Sequence, residues 1–378
     1  MRLAQKLLKK IPQYTRGSRH LWTVMHHGNP RKWHNLALAE YERKKRRIEV
    51  RSHPYLLIID PCNYCNLKCP LCPTGLNELG RPQAMLSLDH FKQYFDLFSD
   101  YLFEAYMHNW GESLLNKQVY SMIEYAQQHN VGTNLSSNFV KTSSSDIDKL
   151  LDCGLEYLIV SLDGVSQETY GQYRIGGRYE QVVENFSELL RRRKQRGKKF
   201  PVVEWQFIVM KQNEHEVEQA ELLAEKLGVD HLRFIPVGMP FEFFERKEIA
   251  DRWYPERFEG RVQSTHEEQQ FGQAAKPSPC FYLYRSVVVN PDGGVSPCCV
   301  VYRKNRDFAD LNTPGYDVMK MWNNDKYRSA RSLYSPVQLP NKRASVCDVC
   351  DIFEKYPGKE PVFKKAEPAP LVQIGAGD

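Results

Sequence analysis

The stretch Cys62-Asn63-Tyr64-Cys65-Asn66-Leu67-Lys68-Cys69-Pro70-Leu71-Cys72-Pro73 follows closely on a short apolar run, Leu56 to Ile59. An apolar run of that length, closed by Asp60-Pro61, reads as a buried strand feeding a loop. Within the loop, Cys65, Cys69 and Cys72 form a CxxxCxxC pattern. Three soft thiolates at that spacing can wrap one face of a cubane iron-sulfur cluster and leave its fourth iron open. A closed structural zinc site wants four ligands, and Cys62 would complete such a set as CxxCxxxCxxC. The first arrangement implies chemistry and the second a support for the fold.

Downstream of the loop, short apolar runs alternate with amphipathic segments, the pattern of repeated βα units. The pattern predicts strands at Glu104 to His108, Thr133 to Leu135, Tyr157 to Leu162, Val202 to Met210 and His231 to Pro236. It predicts helices at Leu88 to Leu97, Val119 to His129, Ser143 to Cys153, Gln181 to Arg193 and Glu214 to Leu227, with Ser87 placed as a cap. Six βα units between residues 55 and 240 predict an α/β fold, a partial (β/α)6 barrel of the TIM type. Each strand ends in a different polar group: Trp110-Gly111-Glu112, Ser137-Asn138, and Ser161 with Asp163-Gly164. In such barrels the active site gathers at the C-terminal ends of the strands.

A second cysteine group begins with Cys280, continues through Gly293 to Cys298 and Cys299, and ends in Cys347-x2-Cys350. Ser286 to Val289 followed by Asn290-Pro291-Asp292-Gly293 is a hairpin signal. Two ligands around a hairpin and two from a returning CxxC give four thiolates, a set that suits zinc or a fully ligated [4Fe-4S] cluster.

The whole chain has 378 residues, 42% of them hydrophobic and 26% charged, as in a globular protein. No apolar run approaches the roughly 18 residues that a membrane span requires, so no transmembrane segment is expected. The start, Met1-Arg2-Leu3, offers no secretory h-region, and a cytoplasmic location is expected. Clustered cysteines in that setting read as metal ligands before disulfides. The net charge of +6 is uneven: residues 1–50 carry +10 and the remainder −4. Residues 1–50 are expected to be a basic helical extension packed on the barrel, with contact to a membrane surface or nucleic acid as the competing reading. The barrel is expected at 51–240, a linker at 241–275, a cluster-bearing module at 276–356 and a disordered tail at 357–378.

Taken together, CNLKCPLCP at 65–73 and the ordered strand ends resemble the radical S-adenosylmethionine (SAM) superfamily, in its SPASM/twitch branch. The resemblance implies that Cys65, Cys69 and Cys72 hold a [4Fe-4S] cluster whose open iron binds SAM. One electron then cleaves SAM to a 5′-deoxyadenosyl radical. It implies that Glu112 accepts from the SAM ammonium, in an element similar to the family's GGEP with Ser113 in place of proline. Ser137, Asn138, Ser161 and Asp163 resemble the further SAM-contacting strand ends, and Arg174 in YRIGG the basic residue near the SAM carboxylate. Gln206 and Met210 stand between barrel packing and substrate contact. Cys280, Cys298, Cys347 and Cys350 resemble the ligands of one auxiliary [4Fe-4S] cluster, as in the twitch form, with Cys299 as an alternative to Cys298. A low-potential donor such as flavodoxin or ferredoxin is implied as a partner.

A fully ligated auxiliary cluster suits electron transfer better than substrate anchoring. With it, the expected reaction is oxidation of a small polyol, sugar or aminocyclitol. Peptide or protein modification is the alternative; the segment 1–50 looks too short for a leader-peptide domain. No cobalamin-binding domain is visible. A non-enzymatic iron-sulfur or nucleic-acid-binding role is the third reading, and it predicts no SAM cleavage.

Overall fold

The computed structural model describes residues 16–238, 252–255, 279–313, 315–337 and 339–350. Most of the expected linker, the expected tail at 357–378 and the stripe Leu3, Leu7, Leu8 and Ile11 lie outside the described residues. Six parallel strands run in chain order: β1 (Leu56–Ile59), β2 (Glu104–Tyr106), β3 (Gly132–Ser137), β4 (Tyr157–Ser161), β5 (Val202–Val209) and β6 (His231–Pro236). Parallel neighbours demand crossovers long enough to hold a helix. Those helices are α3 (Leu88–Asp96), α4 (Val119–Gln128), α5 (Ser144–Asp152), α6 (Gln167–Tyr173) with α7 (Tyr179–Gln195), and α8 (Val217–Leu227).

Among the described residues β6 pairs with β5 alone, so the six strands form an open arc, the α/β architecture the sequence predicts. Local chemistry sets the crossovers. Ser143 and Asp146 make a reciprocal capping box at the start of α5, and Ser87 accepts from the His90 N–H at the start of α3. Gly228, at φ +73°, ends α8 in the left-handed conformation that an L side chain adopts only at a cost. Helix and strand faces meet in one core that includes Leu57, Ile59, Phe91, Phe95, Met107, Leu135, Leu158, Trp205 and Phe207. Burying each of those side chains contributes about 1.5–3 kcal/mol.

β7 (Ser286–Val289) lies parallel to β1 on the side away from β2, with Leu56 opposite Ser286 and Ile59 opposite Val289. β8 (Gly294–Ser296) returns antiparallel through the expected turn at 290–293, and β9 (Ala309–Asp310) follows. The second cysteine group is therefore attached to the same nine-stranded sheet as the first. Two helices, α1 (Arg16–His26) and α2 (Pro30–Lys44), cover the other end of the strands. Their charges are engaged with the body: Arg19 pairs with Glu104 of β2, and Glu40 takes Arg285 and the Tyr55 hydroxyl. Arg43 and Lys44 fall in the last turn of α2, where cations suit the helix dipole.

Candidate functional site

Because β1 to β5 point the same way, the segment after each strand opens on one edge of the sheet. After β1 comes the cysteine loop. Its turn is closed by Cys72 N–H to the Cys69 carbonyl at 3.1 Å, and Lys68 N–H reaches the Ile175 carbonyl at 2.9 Å. Cys65, Cys69 and Cys72 pack in one small apolar cluster with Leu67, Leu71, Tyr173 and Met210. Burial pushes the Cys65 thiol up to about 12, and Glu112 and the other two thiols add to it. Burial pushes Cys69 up to about 11, partly relieved by Arg174. Thiols raised as those of Cys65 and Cys69 are become thiolates opposite a strong cation, and three soft ligands suit a cluster with one open iron.

Cys62 stands apart from the three. It is fully buried, and its thiol donates to the Glu112 carbonyl at 3.1 Å. The close approach of the two loops needs glycine at 111, where a Cβ would stand 1.9 Å from the Cys62 carbonyl oxygen.

After β2, Glu112 is 4% exposed. Its Oε1 accepts from the Ser137 hydroxyl at 2.7 Å and the Leu114 N–H at 3.2 Å, and its Oε2 from the Asn138 N–H at 2.7 Å. Ser113, where the family has proline, donates its hydroxyl to the Met107 carbonyl at 2.8 Å and so closes the same turn. Burial holds the Glu112 carboxyl above its ordinary range against those neutral donors. One lone pair on Oε2 is left for a cationic partner. After β3, the Asn138 amide donates to Asn66 Oδ1 at 3.0 Å and lies 3.5 Å from the Cys65 sulfur. Phe139 takes φ +59° here, a conformation that β-carbon-bearing residues rarely adopt.

After β4, Asp163 is fully buried. Its Oδ2 accepts from Arg174 Nε at 2.6 Å and its Oδ1 from the Ile208 N–H at 2.7 Å. Arg174 is largely buried: α6, a helix that the sequence reading missed, ends on it and turns it back over Cys69. The signal was Ser166, which caps α6 at the Thr169 N–H. Ser161 is buried at the end of β4 and sits opposite Gln206 of β5. Gln206 accepts from Arg233, so it is engaged in the sheet. Met210 is fully buried in the cluster that holds Cys69.

Two further residues of the site went unread. Asp60, the last residue before the loop, accepts through Oδ2 from Trp110 N–H at 2.9 Å and Gly111 N–H at 3.2 Å. Its Oδ1 is buried with no hydrogen-bond partner. Burial pushes the Asp60 carboxyl up to about 7 despite those N–H groups. The native protein therefore binds a proton that the unfolded chain releases between about pH 4 and 7, and stability falls as pH rises through that window. Asp60→Asn should flatten the fall, read as urea midpoints of the variant and parent at pH 5 and 8.

Arg81, its side chain fully buried, bridges the first loop to the C-terminal hairpin. It donates to the Tyr302 carbonyl at 2.7 Å and pairs with Asp292 at 2.8 Å and Asp307 at 2.9 Å. Arg81→Met should lower stability by about 3–5 kcal/mol, because it leaves the buried Asp307 carboxylate without its cation, while Asp292 keeps Lys304 at 3.3 Å. Denaturant unfolding of the variant measures that loss.

In the C-terminal module, burial raises the Cys298 thiol, and the thiols of Cys299, Cys350, Cys347 and Cys280 around it raise it further. Cys347 is raised in the same way by burial, Cys350 and Cys280. The four expected ligands are thus neighbours, although Cys280 and Cys350 stand far apart in the sequence. The Cys299 sulfur lies 3.1 Å from the Tyr282 hydroxyl. A capping box of Ser345 and Asp348 shapes the turn that carries Cys347. Arg331 is fully buried beneath this module, donating to the carbonyls of Leu283 and Trp322 and stacked on the Trp322 ring at 4.8 Å.

The radical SAM superfamily model matches residues 59–224, and the model of a SPASM iron-sulfur cluster-binding domain matches residues 280–351. The AdoMet-dependent heme synthase of Methanosarcina barkeri is 26% identical over 195 residues, covering 50% of this chain and 54% of that protein. A PqqA peptide cyclase of Rhodopseudomonas palustris is 28% identical over 124 residues, 33% of this chain and 32% of that protein. The chain thus spans about half or less of the length of these curated relatives. Among solved structures, Streptococcus suis SuiB bound to precursor peptide SuiA shares the fold, with TM-score 0.55, 13% identity, and coverage of 83% of this chain and 74% of that one. Among the described residues, no helix is long and apolar enough to cross a membrane.

Proposed function

We propose, for a chain that belongs to the radical SAM superfamily in its SPASM/twitch branch, that it modifies a peptide or protein side chain. It is a radical SAM enzyme whose cofactors are SAM, a [4Fe-4S] cluster and an auxiliary iron-sulfur cluster. The observation that carries the site assignment is Glu112, buried beside the cysteine loop and held through both carboxylate oxygens by Ser137 and Asn138.

In this reading Cys65, Cys69 and Cys72 hold the first cluster, and Cys280, Cys298, Cys347 and Cys350 the second. Held by those three cysteines, a cluster with one open iron would supply the electron for reductive SAM cleavage. Glu112 accepts from the SAM ammonium, a cation that offsets the cost of its own burial. Ser137 and Asn138 keep that carboxylate from turning away. Arg174 offers its guanidinium beside Cys69 to the SAM carboxylate, while Asp163 fixes its orientation. The apolar wall of Leu67, Tyr173 and Met210 keeps water from this edge.

The substrate class rests on the relatives. The PqqA peptide cyclase is named for a peptide, and SuiB is seen bound to a precursor peptide. They support peptide modification over the oxidation of a polyol, sugar or aminocyclitol that the auxiliary cluster alone suggested. The test is hydrogen transfer. Lysate from source cells grown in deuterated medium is split by size, and each fraction is given with SAM and dithionite to the anaerobically reconstituted enzyme. Deuterium should enter 5′-deoxyadenosine from a protease-sensitive donor. A donor found only in the low-mass, protease-resistant fraction would return the assignment to a small molecule.

A further inference from the structure

At the N-terminal edge of the sheet, opposite the cysteine loop, three metal-ligating side chains converge that the SAM site does not use. We infer that His26, His27 and Glu156 form a site for a divalent cation of the zinc class, which clasps α1 to the starts of β3 and β4. One ligand atom from each of the three lies within 4.8 Å of the other two. His26 ends α1 and His27 follows it, while Glu156 directly precedes β4. His26 is exposed, with its ring stacked on Trp22 at 4.5 Å, and His27 is buried.

The hydrogen bonds of His27 point to a cation. Its Nε2 stands 2.7 Å from Glu156 Oε1, and its Nδ1 stands 3.1 Å from Asn130 Oδ1. The orientation of the Asn130 amide is set by its Nδ2, which donates to the His27 carbonyl at 3.1 Å. Both ring nitrogens of a buried imidazole therefore face acceptor oxygens. A neutral ring can donate to only one of them. With Nδ1–H given to Asn130, the contact of Nε2 with Glu156 Oε1, which also accepts from Gln127 Nε2 at 3.2 Å, needs a positive charge, supplied either by a second ring proton or by a metal ion. A metal-ligating histidine donates its other ring N–H to an outer oxygen acceptor, the part that Asn130 Oδ1 plays for His27 here.

The space is also kept clear. A Cβ at residue 132 would stand 2.8 Å from Glu156 Oε2 and 2.9 Å from His27 Nε2, so glycine there leaves room for the pair. Zinc bonds of about 2.0–2.1 Å set neighbouring tetrahedral ligand atoms roughly 3.3 Å apart, so binding needs a shift of about half an ångström between Nε2 and Oε1. Three protein ligands leave the fourth position to water on the exposed side of His26. A zinc ion here has no redox role and would act as a fastener, remote from the radical chemistry.

The test uses protein whose seven cluster cysteines are already filled with iron and sulfide, so that zinc cannot be held by those thiolates. It is incubated anaerobically with zinc and freed of excess by gel filtration. Metal content and zinc X-ray absorption are then measured. One zinc per chain is expected, with a nitrogen and oxygen shell at about 2.0–2.1 Å. His26→Gln, at an exposed position, and Glu156→Gln should each weaken zinc binding at least as much as the loss of an outer-shell partner does, about 10–100-fold. The inference is overturned if no zinc is retained, if the shell is sulfur at about 2.3 Å, or if either variant keeps the parental affinity. In that case His27 and Glu156 are a buried ion pair.

Discussion

Alanine in place of Cys65, Cys69 and Cys72 is expected to halve the iron of the anaerobically reconstituted protein, from about eight atoms to about four, and to abolish formation of 5′-deoxyadenosine. Seven cysteines, three plus four, set the starting value. The loss of SAM cleavage should be complete, because among the described residues no other group of this site can deliver an electron to a sulfonium. The variant should still fold. The three side chains belong to a small cluster with Leu67, Leu71 and Met210, whereas the sheet is held by the separate core around Leu57, Phe91, Leu158 and Trp205. Iron content, the deoxyadenosine assay and circular dichroism check the three statements. Cleavage of SAM by a folded triple variant would place the reactive cluster elsewhere.

The second large effect separates the two clusters. Cys347→Ala with Cys350→Ala removes half of the ligands proposed for the auxiliary cluster and leaves the first loop and its strand ends untouched. SAM cleavage should survive, since Glu112, Ser137, Asn138 and Arg174 are positioned by β2 to β4 and α6 alone. Modified product should fall to background. A substrate radical left without an oxidant recovers a hydrogen or decays, and the protein can only position the cofactors that carry electrons. Product mass and deoxyadenosine are measured in the same incubation, so that uncoupling appears as deoxyadenosine without product. Zinc in place of iron in the parental C-terminal module, or product at the parental rate from the folded double variant, would make the auxiliary site structural. The Arg81 bridge to Asp292 and Asp307 gives a control on folding, because it ties the hairpin to the first loop independently of any cysteine.

The relation between sequence and site differs from residue to residue. Cys65, Cys69 and Cys72 are legible because cluster ligation requires soft atoms a few residues apart, and a single loop supplies them. Glu112, Ser137 and Asn138 are legible only as a series: each alone is ordinary turn chemistry, but parallel strands in chain order bring their C-terminal ends to one edge. Arg174 could be listed but not placed, because α6 is a single short helix whose apolar pattern is too brief to stand out. Asp60 and Arg81 went unread, since a lone acid and a lone arginine acquire meaning only from partners distant in the chain, Trp110 for the first and Asp292 and Asp307 for the second.

By itself the sequence determined the alternation of strands and helices, the two sets of thiols and the order in which polar groups leave the strands. These depend on local periodicity and short spacing, which survive without knowledge of the fold. Only the tertiary structure decided that β7 joins β1, which sets the C-terminal hairpin beside the first loop and lets Arg81 bridge them. It also decided that Cys62 is spent on a carbonyl and that His27 of the first helix meets Glu156 at the start of β4. Register between distant strands and the burial of single charges are set by packing the whole core at once, and no window of sequence contains both partners.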